Sequence, residues 1–271
     1  MQKKSNNSLN NKINTNKNSI NISSTNNIDY DLFDRACMEV IGRQQGANGI
    51  GTLSEKTVHA VLKYYYAPKE KYHEGRIGHY VADICREGEI FEIQTRNFNT
   101  LRSKLDCFLQ DHDVTIVYPI ANIKYLRWVN PDTGEILPPR KCPKKGNIYN
   151  IIPELYKIKY YLPNENLHFI MTFLDMEEYR MLDGWSKDKK KGATKTDKIP
   201  TGIAGEIRID CKEDYLKFLP DDLPENFTSK DVAVCCKISI GLSGVLLHIL
   251  HYLNLIERTG KKGNAYLYKI L

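Results

Sequence analysis

The chain has 271 residues, enough for one large and one small domain with an ample core. Charged residues make up 27% of the sequence and no apolar run approaches 18 residues, so we expect no membrane span. The net charge of +6 permits a polyanionic partner. The seven Cys lack zinc-type spacing, which predicts reduced thiols. The polar start lacks a signal peptide, so we expect a cytoplasmic protein.

The beginning of the sequence predicts a disordered tail followed by two helices. Residues 1–28 include ten Asn and lack the apolar side chains that repay the entropy of ordering. Residues 29–45 have apolar side chains at helical spacing, and Ser54–Tyr66 predicts a second helix with a Ser or Thr cap. A Gly-rich loop joins the two helices, and a polar crossing at 68–76 leads into the first predicted strand.

Two short strands joined by a tight turn form the central feature of the sequence. His79–Arg86 and Glu89–Thr95 are largely apolar, which is typical of a sheet that is covered on both faces, and Glu87-Gly88 separates them. If this is a two-residue turn, Asp83 lies directly opposite Glu92 on the neighbouring strand. Two carboxylates so close together repel each other in a buried setting unless a cation lies between them.

Gln94 lies two residues after Glu92 and therefore points to the same face of the strand. The pattern D-x8-E-x-Q within apolar strands predicts a Mg²⁺ site. A helix is predicted next, at Asn97–Gln110, followed by two strands at Val114–Pro119 and Tyr125–Asn130. A further helix and strand are predicted at Asn147–Tyr161 and Leu167–Met176.

Asp83, the segment Glu92-Ile93-Gln94 and the order of the surrounding elements resemble the PD-(D/E)XK nuclease superfamily over about residues 50–130. In that family, an Asp and a Glu-x-Lys on the next strand form the metal and catalytic centre. The resemblance implies a restriction-endonuclease-like αβββαβ core with a mixed sheet, Mg²⁺ or Mn²⁺ as cofactor, and hydrolysis of phosphodiester bonds with DNA favoured. Gln94 departs from the family, most of which has Lys there, although some such nucleases carry Gln.

Further expectations about single residues depend on this resemblance. Asp83 and Glu92 would hold the metal, and Gln94 or Lys104 would orient the attacking water. Because the strand lysine is absent, Lys104 of the following helix is the candidate for the missing cation, although it also fits an ordinary exposed lysine. Glu55 is a third acidic candidate because nucleases of this type often place a Glu on the first helix, but a first-turn Glu favoured by the helix dipole is the alternative. His59, one turn later, is expected to be a packed helix residue, with a role in the site as the alternative.

Beyond about residue 45, the whole chain also resembles an uncharacterised group of bacterial proteins with EIQTRNF, an R-x-(S/C)-P-K-x-G element and a C-terminal winged helix. The second element lies in the basic segment Pro138–Gly146, and Trp185–Lys198 is another basic segment. Both suit phosphate contacts, although solvated surface loops look the same. The candidate nucleic-acid-binding residues in these segments are Arg140, Lys141, Lys144, Lys145, Lys189, Lys190 and Lys191.

The last fifty residues predict a small winged-helix unit. A capping box at Thr228 opens the helix Ser229–Cys236, and Ile240–Asn254 is a second helix. Two strands follow around a turn at 259–264, with Lys261 and Lys262 as candidate contacts to nucleic acid at the wing tip. The second helix is apolar nearly all round, so docking on the core or on another subunit of a homodimer remains open beside DNA contact.

The sequence therefore predicts an α/β protein with a tail at 1–28, a nuclease-like core at 29–222 and a winged-helix domain at 223–271. The main functional hypothesis is a metal-dependent nuclease. Two alternatives stay open: a nucleic-acid-binding or regulatory protein that keeps the fold without the chemistry, and a structural partner in a larger assembly.

Overall fold

The computed structural model describes residues 28–47, 57–184 and 192–271. The predicted tail therefore lies outside the described residues except for its last position. The described helices are α1 (Tyr30–Ala47), α2 (Thr57–Tyr66), α3 (Arg102–Phe108), α4 (Ile152–Lys157), α5 (Ser229–Cys236) and α6 (Ile240–Tyr252), together with 3-10 helices at Glu70–Tyr72, Phe98–Leu101, Ile148–Ile151 and Lys212–Phe218.

A mixed seven-stranded sheet forms the centre of the protein. The strands are β1 (His73–Ile77), β2 (Tyr80–Arg86), β3 (Glu89–Ile93), β4 (Asp113–Val129), β5 (Arg140–Lys141), β6 (Leu167–Met181) and β7 (Thr194–Ile209), and β8 (Ile256–Lys262) pairs with β9 (Ala265–Ile270) in a separate hairpin. The sheet order is β1-β2-β3-β4-β6-β7, and β5 pairs with β4. The pairs β3/β4 and β4/β6 are parallel, whereas β1/β2, β2/β3 and β6/β7 are antiparallel.

Helices cover both faces of this sheet, which explains why its central strands are apolar on both sides. On one face, α1 and α2 bury a cluster that includes Phe33 and Leu62. On the other face, α3 and α4 bury a larger cluster that includes Leu105 and Phe169. The α/β class with a mixed sheet is therefore confirmed, and the element order from α2 to β4 is αβββαβ.

Several predicted element boundaries were wrong. The polar crossing at 68–76 contains strand β1, whose residues are no more than partly buried because it is an edge strand. Two predicted strands are one long strand, β4. The helix expected at Asn147–Tyr161 is a 3-10 turn followed by the short α4. The second basic segment was expected to be a loop up to Lys198, but β7 begins at Thr194 and pairs with β6.

The C-terminal unit consists of α5, α6 and the β8–β9 hairpin. Its first helix has the predicted capping box, in which the Thr228 hydroxyl accepts the Asp231 N–H while the Asp231 carboxylate accepts the Thr228 N–H. Leu246 and Leu250 of α6 belong to the same buried cluster as α4 and the sheet. The apolar face of α6 therefore packs on the core, as the docking alternative expects. The turn predicted at 259–264 is shorter, because β8 continues to Lys262.

Among the described residues, no single helix is long and apolar enough to cross a membrane. Helices α5 and α6 pass that test only as a pair, and they are bent by 114° relative to each other.

Candidate active site on the β2–β3 hairpin

A tight turn fixes the register of the hairpin that carries the two candidate carboxylates. Glu87 and Gly88 have positive φ values of 47° and 88°, as a two-residue turn with the twist of the flanking strands requires. Arg86 pairs with Glu89 and Ile84 with Phe91, so the predicted register is confirmed. The pairing ends at Ile84 and Phe91, and Asp83 and Glu92 are the next residues along the two strands.

Asp83 is held by hydrogen bonds from a strand and from a helix. Its Oδ2 atom accepts the backbone N–H of Ile93 at 2.7 Å and lies 2.9 Å from Nε2 of His59 in α2. A carboxylate can only accept, so Nε2 of His59 carries the proton in this contact when Asp83 is ionised. The expectation that His59 is a packed helix residue was therefore incomplete, because its ring fixes the orientation of the Asp83 carboxylate.

Glu92 is almost completely buried, with 4% of its side chain exposed. Nζ of Lys104 in α3 lies 2.9 Å from both carboxylate oxygens and also donates to the carbonyl oxygen of Val81 at 2.7 Å. Burial and the nearby charge of Asp83 raise the pKa of Glu92 to about 7, and Lys104 offsets only part of this increase. The carboxyl of Glu92 is therefore poised to exchange a proton or a cation near neutral pH.

Gln94 follows the end of β3 and has local hydrogen bonds. Its side-chain amide donates to the carbonyl oxygen of Arg96 at 2.6 Å, and its backbone N–H donates to the carbonyl oxygen of Val117 at 2.9 Å. Among the described residues, its amide contacts neither Asp83 nor Glu92. Lys104 contacts Glu92 from α3, whereas His59 contacts Asp83 from α2.

A second polar contact on α2 extends the site. Nζ of Lys63, one turn after His59, lies 3.1 Å from Oε1 of Glu74 in β1, and the Lys63 side chain is almost fully buried. The sequence did signal this face, because His59 and Lys63 are four residues apart on one helix.

Glu55, the third acidic candidate, lies outside the described residues. Within the described residues, no group of three or more His, Cys, Asp or Glu is arranged to hold a metal ion.

The candidate nucleic-acid-binding residues that the structure describes lie outside the β2–β3 hairpin. Arg140 and Lys141 form β5 and pair with Leu126 and Tyr125 of β4. The remaining described candidates are exposed and comprise Lys144, Lys145, Lys261 and Lys262. Lys189, Lys190 and Lys191 lie outside the described residues.

A known protein family matches the part of the chain that carries the β2–β3 hairpin. A family model described as "Domain of unknown function (DUF8091)" matches residues 56–210, which is more than half of the chain. The chain belongs to the DUF8091 family. The DUF8091 segment contains His59, Asp83, Glu92 and Lys104, whereas the C-terminal unit follows it.

The search of curated proteins extends the similarity beyond the DUF8091 segment. A protein of Treponema pallidum (strain Nichols), named "Uncharacterized protein", is 26% identical over 227 residues, which cover 81% of this chain and 87% of the relative. No solved structure matches the chain.

Proposed function

We propose that this DUF8091 protein is a metal-dependent nuclease that hydrolyses phosphodiester bonds, with DNA as the favoured substrate. The observation that carries the proposal is the pair of carboxylates at Asp83 and Glu92, with His59 contacting the first and Lys104 the second. Placing several polar groups within an apolar sheet costs stability, and the raised pKa of Glu92 is typical of functional sites. DNA and the PD-(D/E)XK fold are proposed on the resemblance of the sequence pattern.

In this proposal, Asp83 and Glu92 would be the oxygen ligands of Mg²⁺ or Mn²⁺. Oδ2 of Asp83 is occupied by two hydrogen bonds, whereas Oδ1 has no hydrogen-bond partner among the described residues. Mg²⁺ is commonly held by one or two carboxylates, with waters and substrate phosphates in its other positions. The carbonyl of Ile93 is the third oxygen that the superfamily pattern implies. A bound ion would polarise the scissile phosphate and lower the pKa of a coordinated water.

The other residues of the site have separate roles in this proposal. His59 donates a hydrogen bond to Asp83 and holds its carboxylate in one orientation. Lys104 supplies the positive charge that most of the superfamily places at the position of Gln94. Because the Gln94 amide is bonded to the following loop, we assign it a smaller role in orienting that water.

A specific observation favours a second candidate, a nucleic-acid-binding or regulatory protein that does not cleave. Lys104 already contacts both oxygens of Glu92, and it therefore supplies one positive charge beside the two carboxylates. A cation fixed in this way stabilises the hairpin without a metal. Metal binding at Asp83 and Glu92 separates the two candidates.

The test compares melting and cleavage in the wild type, Asp83→Asn and Glu92→Gln with and without Mg²⁺ or Mn²⁺. We expect the wild type to melt at a higher temperature with the metal and to cut mixed DNA or RNA substrates, and we expect both variants to lose the two effects. Glu89→Gln is the matched control on the same hairpin, because its carboxylate pairs with Arg86 instead. If the wild type shows neither a metal-dependent melting shift nor cleavage, the nuclease proposal fails.

A further inference from the structure

Lys159, just after α4, has an unusual set of contacts. Its Nζ atom lies 5.3 Å, 5.0 Å and 5.5 Å from the ring centroids of Tyr156, Tyr160 and Tyr252, and 3.2 Å from Nε2 of His248. Among the described residues, no carboxylate lies within ion-pair distance of it. The ammonium group is therefore held by aromatic rings, and its charge is not neutralised by an acid.

The β8–β9 hairpin repeats this arrangement. The guanidinium of Arg258 lies 4.2 Å from the ring centroid of Tyr266, and Nζ of Lys261 lies 5.1 Å from the same ring. Neither cation has an ion pair with a carboxylate in the part of the chain that the structure describes. The nearby acid Glu225 pairs with Lys269 at 2.8 Å. A cation that contacts an aromatic ring and has no acidic partner thus occurs both after α4 and on the β8–β9 hairpin.

His248 of α6 connects the two arrangements. Its Nε2 atom lies 3.2 Å from Nζ of Lys159, and its pKa is lowered by burial and then by the positive charges of Lys159 and Arg258. Tyr160 and Tyr252 meet edge to face at 6.0 Å, and 69% of Tyr160 is exposed. We call the surface formed by Lys159, Arg258, Lys261 and the rings that they contact the cation–ring surface.

This surface adjoins the helix that carries Lys104. Nε of Arg102 in α3 donates to the carbonyl oxygen of Lys157 at 2.9 Å, and the hydroxyl of Tyr161 donates to Asp106 of α3 at 2.8 Å. The end of α4, where the cation–ring surface begins, therefore lies directly against α3.

We propose that the cation–ring surface binds single-stranded nucleic acid, an inference that rests on the proposed nucleic-acid function and specifies the form of its substrate. Cations without acidic partners attract phosphates, and exposed rings stack on unpaired bases. A duplex would satisfy only the first of these interactions, because its bases are stacked on one another. RNA and DNA single strands share this chemistry.

The experiment measures binding of the full-length protein to a labelled oligothymidylate of about 16 nucleotides, without metal so that nothing is cut. We expect Tyr160→Ala to weaken binding about tenfold through lost stacking, and Tyr160→Ala with Arg258→Ala to weaken it further. The matched controls are Tyr30→Ala, an exposed tyrosine of α1, and Lys217→Ala, whose lysine pairs with Asp214. Both controls are expected to bind as the wild type does.

Further substrates separate stacking from charge and DNA from RNA. An abasic strand of equal charge and a duplex are expected to bind more weakly than oligothymidylate and to be insensitive to Tyr160→Ala. Oligouridylate tests whether RNA is bound as well as DNA. Equal binding of oligothymidylate by the wild type and the Tyr160→Ala/Arg258→Ala variant overturns the proposal. So does the absence of single-strand binding by the folded wild type, the result expected of a surface that contacts a protein.

The outcome is independent of the nuclease proposal. If the wild type never cleaves but binds single strands through Tyr160 and Arg258, the nuclease function fails and the binding surface stands. If the wild type cleaves and the double variant binds and cleaves normally, the nuclease function stands and the binding surface fails.

Discussion

Glu92 and Glu178 are both buried glutamates on the central sheet, and each lies 2.9 Å from a lysine. Their side chains are 4% and 2% exposed. The second neighbour differs, because Glu178 also contacts Arg180, whereas Glu92 lies beside the carboxylate of Asp83. Burial raises the pKa of Glu178, but hydrogen bonds from Lys124 and Arg180 outweigh it, so its pKa lies below the usual value while that of Glu92 lies above.

This difference distinguishes a structural ion pair from a candidate site. Glu178 is surrounded by two cations, so its charge is more than neutralised and it stabilises the long strands β4 and β6. Asp83 and Glu92 together exceed the charge of Lys104, and His59 contributes none while it is neutral. A buried excess of negative charge costs stability unless a proton or a cation is bound, which is why it indicates function.

The largest expected effect that tests this comparison is the loss of stability in Glu178→Gln. The substitution leaves Lys124 and Arg180 without their shared anion, and removing one partner of a buried ion pair costs about 3 kcal/mol. Urea unfolding at pH 7 measures the change in the free energy of unfolding. Glu89→Gln is the control, because its pair with Arg86 is largely exposed and is worth about 0.5 kcal/mol or less. Equal effects of the two substitutions would contradict the structural role of Glu178.

The stability that Glu178 contributes has a defined pH dependence. Its pKa is lower in the folded protein than in the unfolded chain, so the contribution is present above the unfolded value and is lost as the pH falls through the folded value. The difference in stability between wild type and Glu178→Gln should therefore shrink under acidic conditions.

Glu92 has the opposite dependence, with an expected effect of about 2 kcal/mol between pH 5 and pH 7.5. Its folded pKa of about 7 lies above the ordinary value of 4.5, so the folded protein keeps a proton that the unfolded chain releases. The wild type should lose stability as the pH rises through this range. Glu92→Gln removes this part of the slope and should be at least as stable as the wild type at pH 7.5. Urea unfolding at both pH values measures it, and an unchanged slope in the variant would refute the raised pKa.

The contact between His59 and Asp83 is expected to contribute about 1 kcal/mol as a partly buried hydrogen bond. A double-mutant cycle with His59→Ala and Asp83→Ala isolates this pair from the other contacts of His59, because neither replacement can form the hydrogen bond. Asp83 keeps the N–H of Ile93 in the His59 variant, so the protein should remain folded. A coupling energy near zero would show that His59 does not hold the carboxylate.

The smallest expected effect on stability belongs to the exposed lysines of the 138–146 segment. Lys144→Ala with Lys145→Ala should change the free energy of unfolding by about 0.5 kcal/mol or less, because surface substitutions away from buried contacts are usually mild. If the segment contacts phosphates, the same variant should bind nucleic acid more weakly on all sequences alike and with a smaller salt dependence. Titrations at two salt concentrations measure this, and unchanged affinity would remove the segment from the binding model.

Local rules predicted the hairpin well and the sheet edges poorly. The two-residue turn at Glu87-Gly88 fixes the register of the strand pairs from Arg86/Glu89 to Ile84/Phe91, so this pairing followed from the sequence. Strand β7 was missed because its first residues are mostly polar. It pairs with β6 at the edge of the sheet, where Pro200 is tolerated and partial exposure removes the apolar pattern on which prediction depends.

The sequence alone determined the α/β class, the register of the central hairpin and the capping box of α5, because each depends on residues that are close in the chain. Only the tertiary structure decided that Lys104 contacts Glu92, that His59 contacts Asp83, and that the apolar face of α6 packs against the core. These contacts join separate elements, and they depend on which helix covers which face of the sheet. The same packing decides which cations contact an acid and which contact aromatic rings. The number of lysines and arginines in the sequence does not predict this difference.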